Sequence, residues 1–268
     1  MARHYRFFLR NPDTFSRFQH ADHFELDGKL EEEIVFQLAK VLRVKTGDHV
    51  TLVPGGQHPP YHEYVFETAA ATKHSVSLIK KSEVMNTNEL GFPLELLLCL
   101  PNKPEKLEFI IQKVVEIGVS GIRLFESDFS QMKHQLREDR LRKILTEAAE
   151  QSERAVVPEL VIAGSLKKFL EGAADSETKN IFVAMERLDQ AAVPETAGSG
   201  SAERKSGNPF SGYGKSSGTG VLVGPEGGFS DEEKKLMAGR SLKTFSLGKR
   251  ILRMETAAIV SLGLAALA

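Results

Sequence analysis

Cysteine, net charge and long apolar runs are what this 268-residue chain has least of, and each shortage removes a class of protein. The single cysteine, Cys99, cannot form an internal disulfide. Set inside the apolar run Leu94 to Leu100, it reads as a buried structural thiol of a reducing compartment. Formal net charge is −1, so no overall basic body is present and a nucleic-acid partner would have to be met by a local patch. The longest apolar tail, Ala257 to Ala268, falls short of the roughly 20 residues that span a bilayer. No membrane partner and a cytoplasmic location are therefore expected. The eight histidines show no HxxxH or HExxH spacing, so no metal site is expected. Pro209 to Ser216 has the outline of a phosphate-binding loop, but Pro209 stands where its first glycine is required and no strand precedes it. Gly212 to Ser217 starts like a dinucleotide fingerprint and lacks the third glycine.

What is present falls into two parts. Tyr5 to Leu9, Val50 to Val53, Tyr64 to Thr68 and Val76 to Ile79 are short β-prone runs, divided by turn signals at Asp27-Gly28, Gly47-Asp48 and Pro54-Gly55-Gly56. One helix, with Leu30, Ile34, Leu38, Val41 and Leu42 at helical spacing, interrupts them. The pattern predicts a small barrel-like domain over residues 1–85. Arg3, Arg6, Arg10, Arg17, Lys40, Arg43 and Lys45 are scattered there among Tyr5, Phe7 and Phe8. Such mixing suits contact with phosphates and bases, and equally suits solvated arginines over an aromatic core.

The polar stretch Met85 to Phe92 marks a boundary, and a second domain is predicted over 90–268. Leu94 to Leu100 reads as a strand buried on both faces. Pro104 to Ile117 follows as a helix stopped by Gly118. Ile122 to Phe125, Val161 to Ala163 and Ile181 to Met185 read as further strands, with an amphipathic helix over Arg137 to Arg154. Alternation of strand and helix predicts an α/β fold with a parallel sheet and ligands at its carboxyl edge. Residues 190–218 collapse to Gly, Ser, Ala, Glu and Lys, and are expected to form a flexible insertion.

The chemistry concentrates in two late segments. Thr219 to Val223 is a buried strand that stops at Gly224-Pro225-Glu226-Gly227-Gly228, and Ser230-x-x-Glu233 is a capping box that starts a helix. A plain turn needs one or two glycines; three around a glutamate at a strand end point to a ligand held by backbone groups. The second segment, Leu247 to Ala257, follows the strand Thr244 to Leu247 and sets arginines and Glu255 among apolar residues, ahead of a closing apolar helix.

GPEGGFSDEE and LGKRILRMETA together resemble the paired signatures of the bacterial 16S ribosomal RNA uracil-N3 methyltransferases, the ribosomal RNA small subunit methyltransferase E family of the SPOUT superfamily. Lys113 to Val119 resembles the family's KxxELGV helix end, Glu147 to Arg154 its EAxEQSxR helix, and Val41-Leu42-Arg43 with Gly47 its VLR segment. The resemblance covers nearly the whole chain apart from the Gly/Ser insertion. Departures are Gln37 in place of His, Ile117 in place of Leu and Met254 in place of Thr.

The resemblance implies a SPOUT sheet with a C-terminal trefoil knot, a PUA-like β-barrel RNA-binding domain at the N-terminus, and a homodimer. It implies S-adenosyl-L-methionine as cofactor, held by Leu222, Gly224, Glu226, Gly227 and Gly228 of the first loop and Leu247, Ile251, Leu252, Arg253, Glu255, Thr256 and Ala257 of the second, with Met185 completing the pocket. The acceptor would be N3 of a specific uridine of 16S ribosomal RNA in the small subunit. Glu226 is expected as the base that takes the imide proton, Arg253 as the stabiliser of the anion, and Arg3, Arg6 and Arg43 as RNA contacts. The competing reading is a non-catalytic RNA-binding or ribosome-assembly protein that keeps the fold without the cofactor.

Overall fold

A computed structural model describes residues 2–18, 21–29, 31–55, 58–131, 136–172, 180–186, 208–211, 218–240 and 242–268. The chain divides into two units, one comprising Met1–Glu89 with Thr146–Val157 and the other Leu90–Leu145 with Pro158–Ala268. Residues 146–157, assigned to the second domain from sequence, thus group with the first. No helix among the described residues is long and apolar enough to cross a membrane.

The first unit is built on a five-stranded sheet in the order β1-β3-β4-β5-β2, with β1 His4–Phe8, β2 His23–Asp27, β3 His49–Val53, β4 Tyr61–Ala71 and β5 Ser75–Asn86. β1 runs parallel to β3 and the other pairs are antiparallel. β4 and β5 outrun the apolar cores visible in sequence, because register shifts at Val65/Phe66 and Thr68/Ala70 let the ribbon bend while pairing continues. Two short helices, α1 Pro12–Phe18 and α2 Glu32–Phe36, accompany the sheet, the second running into a π-helical turn at Gln37–Val41. Phe7, Phe18, Phe24, Tyr64 and Phe66 belong to one buried core, with the Phe18 ring edge-on to those of Phe24, Tyr64 and Phe66. The aromatics of this unit are therefore largely core, not a surface for bases.

A buried ionic cluster also belongs here. The Arg154 guanidinium, 4% exposed, pairs with Glu89 at 2.7 Å, and the same carboxylate accepts the N–H groups of Ala155 and Val156. Arg6 lies beside it, paired with Glu63 at 2.5 Å and donating to the Arg154 carbonyl at 2.8 Å.

The second unit is an all-parallel sheet in the order β11-β9-β10-β6-β7-β8. Its strands are β6 Leu94–Cys99, β7 Gly121–Glu126, β8 Glu159–Ser165, β9 Asn180–Ala184, β10 Thr219–Val223 and β11 Lys243–Phe245. Helix α3, Pro104–Ile117, opens with proline at its first position and ends on Gly118 at φ +106°, a left-handed stop that only glycine takes without strain. α4 is Glu138–Gln151, α5 Leu166–Glu171, α6 Asp231–Gly239 and α7 Met254–Ala266. α3 and α7 pack together, with α7 against β10 and β6, while α5 packs against α6. Leu97, Cys99, Val183, Leu222, Phe229 and Met237 share a core with α5 residues Leu166 and Leu170. Burial pushes the Cys99 thiol up, which leaves it protonated and inert.

The expected insertion at 190–218 lies outside the described residues except for 208–211 and 218. Residues 208–211 are packed, contrary to the expected flexibility at those four positions. Phe210 is 2% exposed, its ring 4.8 Å from Phe182 and 5.1 Å from Phe245, and the Asn208 amide donates to the Leu264 carbonyl at 2.6 Å. One large apolar side chain is enough to anchor a tetrapeptide in an otherwise polar stretch.

Candidate cofactor and RNA site

Strand register places the site. Val223 of β10 and Phe245 of β11 both pair with Ala184 of β9. Gly224, Met185 and Ser246 therefore leave the carboxyl edge side by side, the two bends separated by two inter-strand spacings, about 10 Å. The Met185 N–H donates to the Phe245 carbonyl at 2.9 Å, and the Ser246 hydroxyl reaches the Glu186 carbonyl at 3.5 Å, fixing the root of the second bend to the end of β9.

The glycines of the first bend divide by role. A Cβ on Gly224 would stand 2.9 to 3.2 Å from three atoms of the Phe229 ring, and one on Gly227 would stand 3.0 Å from the Phe129 Cβ. Those two glycines make room for the protein's own aromatics. Gly228, at φ +74°, and Gly248 in the second bend, at φ +113°, have nothing within 4 Å of a built Cβ. These two turn a left-handed backbone toward open space, as a close-approaching ligand requires. Leu222 is fully buried in the core beneath, so it supports the bend and does not line it.

Helix α6 begins as the sequence predicts. The Ser230 hydroxyl accepts the Glu233 N–H at 3.2 Å, and the Glu233 carboxylate accepts the Ser230 N–H at 2.8 Å. Glu233, fully buried, also accepts the Asp128 N–H at 3.1 Å, joining the ends of β7 and β10. Asp128 in turn accepts the Ser230 hydroxyl at 2.6 Å and pairs with Lys167 at 2.9 Å, which holds its carboxyl below the usual range.

Glu226 lies across the point where strand order reverses. β6 and β10 are neighbours, and the helices that follow them, α3 and α6, pack with different partners, the arrangement that opens a crevice in doubly wound sheets. Here the protein closes that crevice itself. The Glu226 carboxylate takes the Lys106 ammonium at 2.6 Å and the Asn102 N–H at 3.2 to 3.3 Å. A carboxylate whose two oxygens already accept these donors is poorly placed to take a proton from substrate, so the expectation of Glu226 as base gives way to a clamp between two strand-end loops. Asn102 and Lys106 were missed from sequence, although the end of the first strand of a parallel sheet always shares an edge with later ones.

In the second bend, Leu247, Leu252, Glu255 and Ala257 are half-buried and Arg253 and Thr256 are exposed. Ile251 is 60% exposed, so it points away from any enclosed pocket, contrary to its expected cofactor role. Arg253 caps α7 through its backbone alone, with no side-chain capping bond. Glu255 sits in the first turn of α7, and its Oε2 is buried with no hydrogen-bond partner. Asn102 Oδ1 is likewise buried and unpartnered. Orphan acceptors of this kind cost about 1–3 kcal/mol each unless a donor arrives.

In the first unit, Arg6 is spent on Glu63 and the Arg154 carbonyl with its side chain 11% exposed, so its expected RNA contact is replaced by a structural one. Arg3 and Arg43 have exposed side chains. Arg43 holds φ +51° just past the π-helical turn, a left-handed strain of about 1–2 kcal/mol for a non-glycine residue. Among the described residues no cluster of three or more His, Cys, Asp or Glu could hold a metal.

The profile of the RNA methyltransferase domain family matches residues 88–266. Ribosomal RNA small subunit methyltransferase E of Synechocystis is 30% identical over 226 residues, covering 84% of this chain and 68% of that one. The chain belongs to this methyltransferase family. The Bacillus subtilis ribosomal RNA small subunit methyltransferase E is 28% identical over 254 residues, 93% of this chain and 91% of its own. In fold, the chain is similar to the Neisseria gonorrhoeae ribosomal RNA small subunit methyltransferase E, solved bound to S-adenosyl methionine, with a TM-score of 0.72 at 24% identity over 96% of this chain and 94% of that one. The match at residues 88–266 spans both glycine bends and all six parallel strands, the elements that build the carboxyl edge described above.

Proposed function

We propose that this protein methylates N3 of a specific uridine of 16S ribosomal RNA in the small subunit, using S-adenosylmethionine. The observation that carries the reading is the alignment of the β10, β9 and β11 ends at one edge, with open left-handed glycines in both bends and an orphan buried carboxylate oxygen at the start of α7. An adenosyl cofactor, when bound, supplies a sulfonium methyl together with hydroxyl and amine donors of the kind those orphan acceptors lack. Gly228 and Gly248 admit it closely. Met185, Leu247 and Leu252 offer half-buried apolar surface, and Glu255 offers the acceptor. Thr256 and Ala257 continue the same helix turn.

The exposed Arg253 guanidinium, at the same edge, stabilises the anion left when the uridine imide loses its proton. Glu226 holds the β6 and β10 loops in register for that geometry. Arg3 and Arg43 of a PUA-like barrel contact RNA, while Arg6 does not. The knot threads α7 through the loops of the second unit. The exposed apolar side chains of Val260 in α7 and Leu267 just past its end, with Phe109 of the α3 helix that packs on it, form the homodimer surface.

The test is to methylate undermodified small ribosomal subunits with labelled S-adenosylmethionine and identify the nucleoside. Labelled 3-methyluridine supports the assignment. No label, together with no thermal shift on adding the cofactor, would make this a non-catalytic RNA-binding or assembly protein.

A further inference from the structure

The second bend carries a cluster of cations that cofactor binding does not use. Residues 246–253 read Ser-Leu-Gly-Lys-Arg-Ile-Leu-Arg, without an acidic side chain, and Lys249, Arg250 and Arg253 are exposed. Elsewhere in the second unit several cations are tied to carboxylates. Lys106 pairs with Glu226, Lys113 with Glu116, Arg140 with Glu108, Arg142 with Glu138, and Lys167 with Asp128 and Glu232. Among the described residues, Lys249, Arg250 and Arg253 have no such pairing. Of the acids at this edge, Glu186 receives Ser246 through its carbonyl and not its carboxylate, and the Glu255 Oε2 is buried without a hydrogen-bond partner.

Two further features distinguish this loop from a solvated charge run. It leaves the sheet beside Met185 and two strand spacings from Gly224, so it borders the methyl-transfer edge. It also exposes Ile251 at 60% between Arg250 and Leu252, an apolar side chain set among cations. Positive charge beside exposed apolar surface is what a single-stranded nucleic acid asks for, phosphates for one and base faces for the other. Gly248 at φ +113°, with open space around it, turns the loop so that these side chains face solvent while Leu247 and Leu252 stay half-buried.

We propose that Lys249 and Arg250 grip the phosphates of the RNA strand flanking the target base, with Ile251 packing against an adjacent base. One short bend thus serves the cofactor through its backbone and half-buried leucines, and the RNA through its exposed side chains. The inference rests on the reading of this edge as an RNA methyltransferase site.

The experiment measures binding of a fluorescein-labelled single-stranded RNA by anisotropy across a salt series, and S-adenosylmethionine binding by calorimetry, in the full-length protein. Lys249→Ala/Arg250→Ala is compared with Lys168→Ala/Lys235→Ala, two exposed lysines of α5 and α6. Removing two phosphate contacts should lower the slope of log K against log salt by about 1.4, which is about 25-fold in affinity at roughly 0.1 M salt. The control pair should keep the wild-type slope, and cofactor affinity should hold within about twofold in both variants. Ile251→Ala should weaken RNA binding without changing the slope, since it carries no charge. An unchanged slope in Lys249→Ala/Arg250→Ala overturns the inference, as does an equal loss of cofactor and RNA binding. If the wild type binds the cofactor but no RNA at any salt, the RNA reading of the edge falls with it.

Discussion

Replacing Gly224 with alanine separates a packing role from a ligand-cradling one. The new Cβ would meet the Phe229 ring at 2.9, 3.0 and 3.2 Å, closer than the roughly 3.5–4.0 Å of comfortable carbon contact. Phe229 is 6% exposed and packed among Leu97, Leu222 and Met237, so its ring has little room to retreat. Overpacking of this kind costs about 1–3 kcal/mol, offset by about 0.4–1 kcal/mol because alanine restricts the unfolded chain. Net destabilisation of about 0.5–2 kcal/mol is expected in urea unfolding. Shrinking the neighbour should relieve it. Gly224→Ala/Phe229→Leu should be more stable than the sum of the single variants by about 1 kcal/mol, a coupling expected only for side chains in contact. Gly248→Ala, by contrast, meets open space at φ +113°, and its strain of about 1–2 kcal/mol should not respond to Phe229→Leu. Additive Gly224 and Phe229 effects would refute the packing explanation.

Three buried or clamped carboxylates give further outcomes. Glu89→Ala strands the buried Arg154 guanidinium and two backbone N–H groups, and should cost about 3–5 kcal/mol in chemical denaturation. Burial pushes the Glu150 carboxyl up to about 7 from 4.5, opposed by the Phe8 N–H it accepts at 3.1 Å. Its contribution to stability is therefore full below about pH 4.5 and lost as pH rises through about 7, at most about 3 kcal/mol in all. Glu150→Gln should flatten that window, with a higher Tm than wild type at pH 8 and an equal one at pH 4; parallel curves for the two proteins would exclude the effect. Glu226→Gln should leave single-turnover methylation of bound RNA within a fewfold of wild type; a loss of a hundredfold or more would restore Glu226 as the base.

Much of the fold was written in local pattern. Continuous apolar runs marked β6 and β10, Pro104 and Gly118 bracketed α3, and Ser230 with Glu233 announced α6. What escaped was set by partners distant in sequence. β2 and the outer halves of β4 and β5 are polar and depend on pairing, α1 and α5 are too short to show a period, and the π-helical turn leaves no residue signature. The site divided in the same way. The glycine bends were conspicuous, but whether a glycine there admits a ligand or a neighbouring ring depended on where Phe229 and Phe129 fall. Arg6 looks like any strand arginine until Glu63 and the Arg154 carbonyl, 57 and 148 positions away in the chain, close around it. Glu226 likewise looks catalytic until Lys106 of α3 and Asn102 of the loop after β6 arrive.

Amide hydrogen exchange, with and without S-adenosylmethionine, tests the placement of the cofactor most directly. Protection is expected at residues 185–186, 224–228 and 246–257, the three chain segments that leave β9, β10 and β11 at one edge. Protection instead at 126–131 or at the junction of β8 and α5, or no change anywhere, would contradict it.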